Sequence, residues 1–262
     1  MKTIRFERDG AIGRIVLANL PRNLISEDFS RDLRNAVLEA SESDIRVLIV
    51  RSEGSDFSFG GDVRDWPGKD KNWFRTFVAN VNVSFRAIDA LRIPCIAAVR
   101  GAAWGGAFEL ALSCDFIVAA ENAHFRCIEV TTGMLPIAGG LQRLAERAGR
   151  AWASRWSMLG EPISGKDAGL HGIATYVVPD AKVEATAAEL AAKLANGPTM
   201  SYAATRALLK AWSSGGVAGA DAIMLDVTMD LYTTEDATRG FASTAEAFKA
   251  DREPPDLIFN GR

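Results

Sequence analysis

The sequence predicts an α/β fold, a largely parallel sheet with crossing helices, followed by a helical C-terminal region. Three observations lead there. All-apolar runs such as Val47-Leu48-Ile49-Val50 and Phe116–Ala120 suit short strands buried on both faces, as parallel sheets require. Between them lie stretches whose apolar residues recur every three or four positions, the helical period. Beyond Val178 only the helical pattern remains, so residues 1–195 are assigned to the core and 196–262 to a helical appendage.

Taken in order, Ile4–Glu7 and Gly13–Ala18 read as a hairpin turned at Asp9-Gly10. Helical spacing follows at Phe29, Leu33, Val37 and Leu38, then the Val47–Val50 strand. Arg51–Asp62 is rich in Gly and Ser and is expected to be a loop. The polar stretch Arg64–Asn72, with Pro67 and Gly68, is expected to be a mobile surface loop. From Phe74, the positions Phe77, Val81, Phe85 and Ile88 mark a long amphipathic helix closed by Pro94. Cys95–Val99 is a strand, Gly101–Gly106 a turn, Ala107–Ser113 a helix and Ile173–Val178 the last strand. Helices are then expected at about 181–195, 199–213, 217–232 and 237–250, punctuated by Asn196-Gly197-Pro198 and Ser213–Gly216.

Composition excludes several classes. With 48% hydrophobic and 24% charged residues the chain is neither disordered nor collagen-like. Thirty basic against thirty-three acidic residues give a net charge of −3, which argues against a nucleic-acid partner held by bulk charge. Three cysteines, odd in number and without CxxC spacing, are expected to be reduced thiols. No apolar run nears the ~18 residues of a membrane span, and MKTIRFERDG lacks a signal core. A cytoplasmic protein without membrane association is the expectation.

Three glycine pairs, Gly60-Gly61, Gly105-Gly106 and Gly139-Gly140, precede helical stretches. Glycine allows close backbone approach, and the first N–H groups of a helix lack partners, so such turns can face a negative oxygen. Glu109 stands three residues after Gly106 in an apolar stretch, where a carboxylate needs a partner or a purpose. Glu129 is a second acid following a strand, with Arg126 as a candidate ion-pair partner. Two carboxylates near paired backbone donors suit proton transfer to and from a substrate whose oxygen gains charge.

These segments resemble the crotonase family, the enoyl-CoA hydratases and isomerases. The resemblance rests on Phe57-Ser58-Phe59-Gly60-Gly61-Asp62-Val63, on Gly101–Leu110, and on Glu129, Gly133, Pro136, Gly139-Gly140 and Gln142-Arg143-Leu144 in that order. It implies a spiral of ββα units with C-terminal helices, assembled as trimers or dimers of trimers. It implies an oxyanion hole made by the N–H groups of Gly61 and Gly106. Glu109 and Glu129 fall on the two glutamates that position and activate water. The substrate implied is an acyl-CoA thioester, with CoA as part of it and no separate cofactor or metal. Candidate substrate-binding residues are Arg22, Phe59, Asp62, Trp66, Trp104 and Gly133.

The chain departs from the family pattern in several places. The loop Pro21-Arg22-Asn23-Leu24 is two residues short, Phe59 replaces a small residue, and Ile128 and Ile137 replace a proline and a glycine. Altered chemistry on the same scaffold, such as isomerisation, C–C bond hydrolysis or decarboxylation, and a non-catalytic binding role are the competing expectations. Two other signals are set aside. Gly160–Asp167 resembles a phosphate-binding loop but has Asp167 where a hydroxyl is needed, and Ser164 with Asp167 reads as a helix start. His124 and His171 lack neighbours at ligand spacing.

Overall fold

A computed structural model of the chain describes residues 2–261. The contacts divide the described residues into two units, one of residues 2–91 and 95–191, the other of 92–94 and 192–261.

The first unit is built on a six-stranded sheet. Strands β1 (Ile4–Asp9) and β2 (Ile12–Leu17) form the antiparallel hairpin, with Ile4 opposite Leu17, and Gly10 turning it at φ +57°. Helix α1 (Glu27–Glu42) carries the chain to β3 (Val47–Ser52), which lies parallel to β2. The Ser26 hydroxyl caps α1 by accepting the Phe29 N–H. Phe29, Leu33 and Val37 are buried, but Leu38 lies 56% exposed on the outer face.

Helix α2 (Lys71–Asp89) then crosses to β4 (Cys95–Val99). It starts before the expected Phe74 because the Asp70 carboxylate accepts the N–H groups of Asn72 and Trp73. It also ends well ahead of Pro94. The expected loop Arg64–Asn72 therefore consists of one 3₁₀ turn (Val63–Asp65), a short link and the first helical turn. Phe77, Val81, Phe85 and Ile88 are the buried stripe.

Gly101–Gly106 is not simply a turn: Ala102–Trp104 form β5, which precedes α3 (Gly106–Leu112). The main sheet continues with β6 (Phe116–Ala120), followed by β7 (His124–Arg126), a 3₁₀ turn (Ile128–Thr132), α4 (Gly140–Ala148) and α5 (Arg150–Leu159). Strand β8 (Ile163–Ser164) and α6 (Gly165–Leu170) lead to the last strand, β9 (Tyr176–Val178), and α7 (Val183–Ala195). Ser164 caps α6 as its sequence suggests, accepting the Asp167 N–H at 3.0 Å.

The strand order of the main sheet is β1-β2-β3-β4-β6-β9, and β5, β7 and β8 form a second, smaller sheet. Isolated parallel bridges extend the smaller ladder, Ile25 with Gly61 and Ser58 with Ala103. The supposed loop 51–62 thus contributes strand-like pairing at Ser58 and Gly61. Each repeat consists of a main-sheet strand, a short segment of the second ladder and a helix.

In the second unit, α8 (Thr199–Tyr232) takes the place of two expected helices. The break between them survives as a kink at Gly216, φ 63° and ψ −158°. Helix α9 (Glu235–Lys249) follows, capped by Thr234, and buried Asp236 accepts the N–H groups of Asn260 and Gly261 from the C-terminal segment. Among the described residues no helix is long and apolar enough to cross a membrane.

Candidate active site

Glu109 lies in the first turn of α3 and is 2% exposed. Its Oε1 accepts the N–H groups of Ala138 and Gly140, each at 2.8 Å, and Oε2 is buried with no partner among the described residues. Burial pushes its pKa above the ordinary carboxylate value, while the two N–H donors work in the opposite direction. This approach needs glycine at 140. A methyl group there would overlap the Glu109 side chain and stand 2.9 Å from Oε1.

Glu129 belongs to the 3₁₀ turn after β7, which Gly133 closes in the left-handed region at φ 75°. Its Oε2 is also buried without a partner among the described residues. Desolvation first, with the nearby Glu109 carboxylate adding to it, pushes Glu129 up to about 7. The ion pair with Arg126 does not form. Instead Arg126 Nε donates to the Gly160 carbonyl at 2.7 Å. Gly105 separates the two acids: its carbonyl accepts the Glu109 N–H at 3.1 Å, and a methyl group on it would stand 3.1 Å from Glu129 Oε1.

The glycine pairs supply the donors. Ile25 N–H bonds the Gly60 carbonyl and its own carbonyl accepts from Asp62 N–H, both at 2.9 Å. In such a parallel bridge the N–H of Gly61 points away from Ile25. The N–H of Gly106 is the first of α3 and has no intrahelical acceptor. Neither N–H meets an acceptor among the described residues. The two turns pack backbone to backbone: a methyl on Gly60 would lie 2.5 Å from the Trp104 carbonyl oxygen and 3.5 Å from Gly106 N. Gly60 also has φ +85°, so it is fixed as glycine twice over.

Aromatic side chains flank both turns. Phe59 and Trp104 meet edge to face with centroids 5.0 Å apart, Arg22 covers Phe59 at 5.5 Å and Arg126 covers Trp104 at 5.8 Å. Trp104 Nε1–H donates to His124 Nδ1 at 2.9 Å, which puts that histidine's remaining N–H on Nε2. The short loop is sewn to the Phe57–Phe59 segment. Arg22 carbonyl accepts the Phe59 N–H, Asn23 carbonyl accepts the Ser58 hydroxyl, and Asn23 Nδ2 donates to the Phe57 carbonyl.

Trp66 packs against Gly61 and against Phe74 and Phe77, both at 5.2 Å. It lines a cleft of about 260 Å³ with Asp62, Lys69, Trp73 and Phe77. Asp62 holds its own loop, accepting the Arg64 N–H and pairing with the Arg64 guanidinium, which keeps its carboxyl below the usual range.

Glu109, Glu129, Gly61 and Gly106 are therefore neighbours through Gly60 and Gly105, with Phe59, Trp104 and Arg22 beside them and Trp66 against Gly61. Gly133 is exposed at the end of the turn that carries Glu129, and a methyl group on it would meet nothing within 4 Å. The sequence marks Gly105 and Gly140 as members of glycine pairs and Asn23 as part of the short loop, but gives Ala138 no signal and none of the four its contact. Donors to Glu109 that come from another element leave no local signal. Among the described residues no group of three His, Cys, Asp or Glu side chains could hold a metal ion.

The chain matches the family model described as enoyl-CoA hydratase/isomerase over residues 7–255. It is 33% identical over 248 residues to the 2,3-dehydroadipyl-CoA hydratase of Escherichia coli, covering 92% of this chain and 91% of that one. It is 31% identical to a probable enoyl-CoA hydratase of Bacillus subtilis, covering 97% and 98%. The crystal structure of an enoyl-CoA hydratase from Bacillus anthracis superposes with a TM-score of 0.88 at 26% identity, covering 99% of this chain and 100% of that one. The spiral of ββα units is the crotonase type that the resemblance implied.

Proposed function

Because the chain belongs to the enoyl-CoA hydratase/isomerase family, we propose that it adds water reversibly across the double bond of a 2-enoyl-CoA thioester. One observation carries this reading: two acids from separate repeats, Glu109 and Glu129, border the Gly105-Gly106 turn, which offers an unbonded N–H beside that of Gly61. Glu109, whose pKa burial raises and whose carboxylate form the two N–H donors favour against that burial, takes a proton from water as the water oxygen attacks the β-carbon. Negative charge passes to the thioester oxygen, held between Gly61 and Gly106. Glu129, protonated up to about pH 7, delivers its proton to the α-carbon. Each oxyanion donor is worth about 2.7–4 kcal/mol in the transition state and acid–base assistance about 10²–10⁴-fold.

In this reading CoA enters as part of the substrate and no other cofactor takes part. Phe59, Trp104 and Arg22 shape the approach to the thioester, and Trp66 with Asp62 the cleft beside Gly61. The protein works as a homotrimer or dimer of trimers. Exposed Leu209, Val217, Leu225, Tyr232, Phe241 and Phe248 of α8 and α9 supply an apolar surface for that assembly.

Purified protein mixed with crotonyl-CoA, longer 2-enoyl-CoAs or aromatic 2-enoyl-CoAs should bleach the absorbance of the conjugated thioester. A folded protein that turns over none of them refutes the reading. Double-bond isomerisation is the second reading, favoured by Glu129's free oxygen and its pKa of about 7. It predicts movement of the double bond in a 3-enoyl-CoA with no uptake of water oxygen.

A further inference from the structure

Glu109 is held by two N–H groups, and each belongs to a peptide unit whose carbonyl end is held by a side chain, the Gly139 carbonyl also taking the Arg143 backbone N–H at 3.4 Å. The Ala138 N–H shares its peptide with the Ile137 carbonyl, which accepts Asn82 Nδ2 at 2.8 Å. The Gly140 N–H shares its peptide with the Gly139 carbonyl, which accepts Arg143 Nη1 at 3.0 Å. Both grips run back to α2. Asn82 is part of that helix and also bonds its own Val78 carbonyl, and Arg143 Nη2 reaches Asp89 of α2 at 2.5 Å.

A peptide is planar, so fixing its carbonyl fixes the direction of its N–H. A donor on the carbonyl also polarises the same unit and strengthens the bond at its N–H end. Gly139 is in the left-handed region at φ +86°, so without these grips the segment has glycine freedom at the position where rotation would swing an N–H away from Glu109.

We propose that Asn82 and Arg143 are positioning residues that orient the two peptide units holding Glu109. This rests on the hydratase reading only in taking Glu109 as the base. The charged and titratable groups around Glu109 are Glu129 from the 3₁₀ turn, Cys127 at its start, and Arg143 from α4 with Asp89 of α2 behind it. Of these only Arg143 favours the Glu109 carboxylate. Loosening either peptide removes a donor to that carboxylate, so its ionisation moves to higher pH.

Two variants test this, Asn82→Ala and Arg143→Lys; the second keeps a positive charge for Asp89 but loses the planar guanidinium that bridges Asp89 and the Gly139 carbonyl. The readouts are kcat and KM across pH, and the carboxyl carbon signal of Glu109 titrated by NMR, assigned by its loss in Glu109→Gln. The expected result is a fall in kcat on the order of 10–100-fold with KM within about twofold. In both variants the acid limb of the rate profile and the Glu109 titration move together to higher pH, which narrows the profile against the loss of the Glu129 proton near pH 7. A uniform loss of rate with the Glu109 titration unmoved, or no loss at all, overturns the proposal. If the wild-type protein hydrates no enoyl-CoA, the functional reading falls while the NMR titration still decides the role of Asn82 and Arg143. If Asn82→Ala does not fold, Arg143→Lys carries the same test.

Discussion

Glu129 imposes a stability cost whose pH dependence can be worked out from its surroundings. Burial and the adjacent Glu109 raise its pKa from the ordinary 4.5 to about 7. The unfolded chain releases this proton near 4.5 and the folded chain holds it to about 7, so between those values the native state binds more protons and stability falls as pH rises. Integrated over that window, the penalty reaches about 3 kcal/mol above pH 7 and is absent below pH 4.5. Glu129→Gln keeps the shape and removes the ionisation. Urea denaturation at steps from pH 5 to 8.5 should show the variant equal to wild type at the acid end and more stable by about 2–3 kcal/mol at pH 8. The gain should come with loss of activity, as expected of a group kept for chemistry at the expense of stability. A stability difference that does not vary with pH would falsify the placement of this carboxyl in a desolvated volume shared with Glu109.

Other outcomes follow from the same geometry. Gly140→Ala forces Glu109 out of its two N–H bonds, and hydration should fall by about 10²-fold or more as measured by kcat/KM. Gly215→Ala, on α8 with open space around it, should instead add about 0.4–1 kcal/mol in the same denaturation assay. Glu109→Gln in a folded protein should cost about 10²–10⁴-fold in kcat, and adding Glu129→Gln should cost much less than the sum of the two single losses. With Glu129 as the acid, kcat/KM should decline as pH rises through about 7, because the proton it donates is lost there. A double-mutant cycle over Phe59→Ala and Trp104→Ala should return a coupling of about 0.5–1.5 kcal/mol; a value near zero would mean that the edge-to-face contact at 5.0 Å is incidental.

The sequence made the large elements legible because their burial is one-sided and periodic. Phe77, Val81, Phe85 and Ile88 announce α2, and Val47–Val50 announces a doubly covered strand. What it hid was short or supplied from a distance. Three-residue β5 is too brief to show alternation, and its pairing partners, Ser58 and β7, lie far away in the chain. The start of α2 was in fact written in Asp70, a capping residue obscured by the Pro and Gly just before it. Glu109 stood out because a carboxylate among apolar residues is costly, yet the groups that relieve the cost, Ala138 and Gly140, lie 29 and 31 residues away. The expected Arg126–Glu129 pair failed for a similar reason. Nothing local to Arg126 reveals that the Gly160 carbonyl, at the end of α5, competes for its guanidinium.

The site is a consequence of how the repeats stack. Adjacent strands lie about 4.8 Å apart, so residues at equivalent places in successive repeats arrive side by side although dozens of residues separate them in sequence. The second-ladder segment of one repeat ends at Gly61, the next at Gly105-Gly106, and the next leads into Glu129. Each repeat delivers one functional group to one end of the ladder. Glu109 then reaches from the helix of one repeat to the helix start of the following one, where Gly140 admits it. Glycine is required where neighbouring repeats touch, at Gly60 against the Trp104 carbonyl and at Gly140 against Glu109, because spacing set by backbone pairing leaves no room for a Cβ. At Gly140 the obstacle is the Glu109 side chain, so an added methyl displaces the base from its two donors. At Gly60 the obstacle is main chain, which no rotamer change relieves, so a side chain there has to separate two repeats and with them the Gly61 and Gly106 donors.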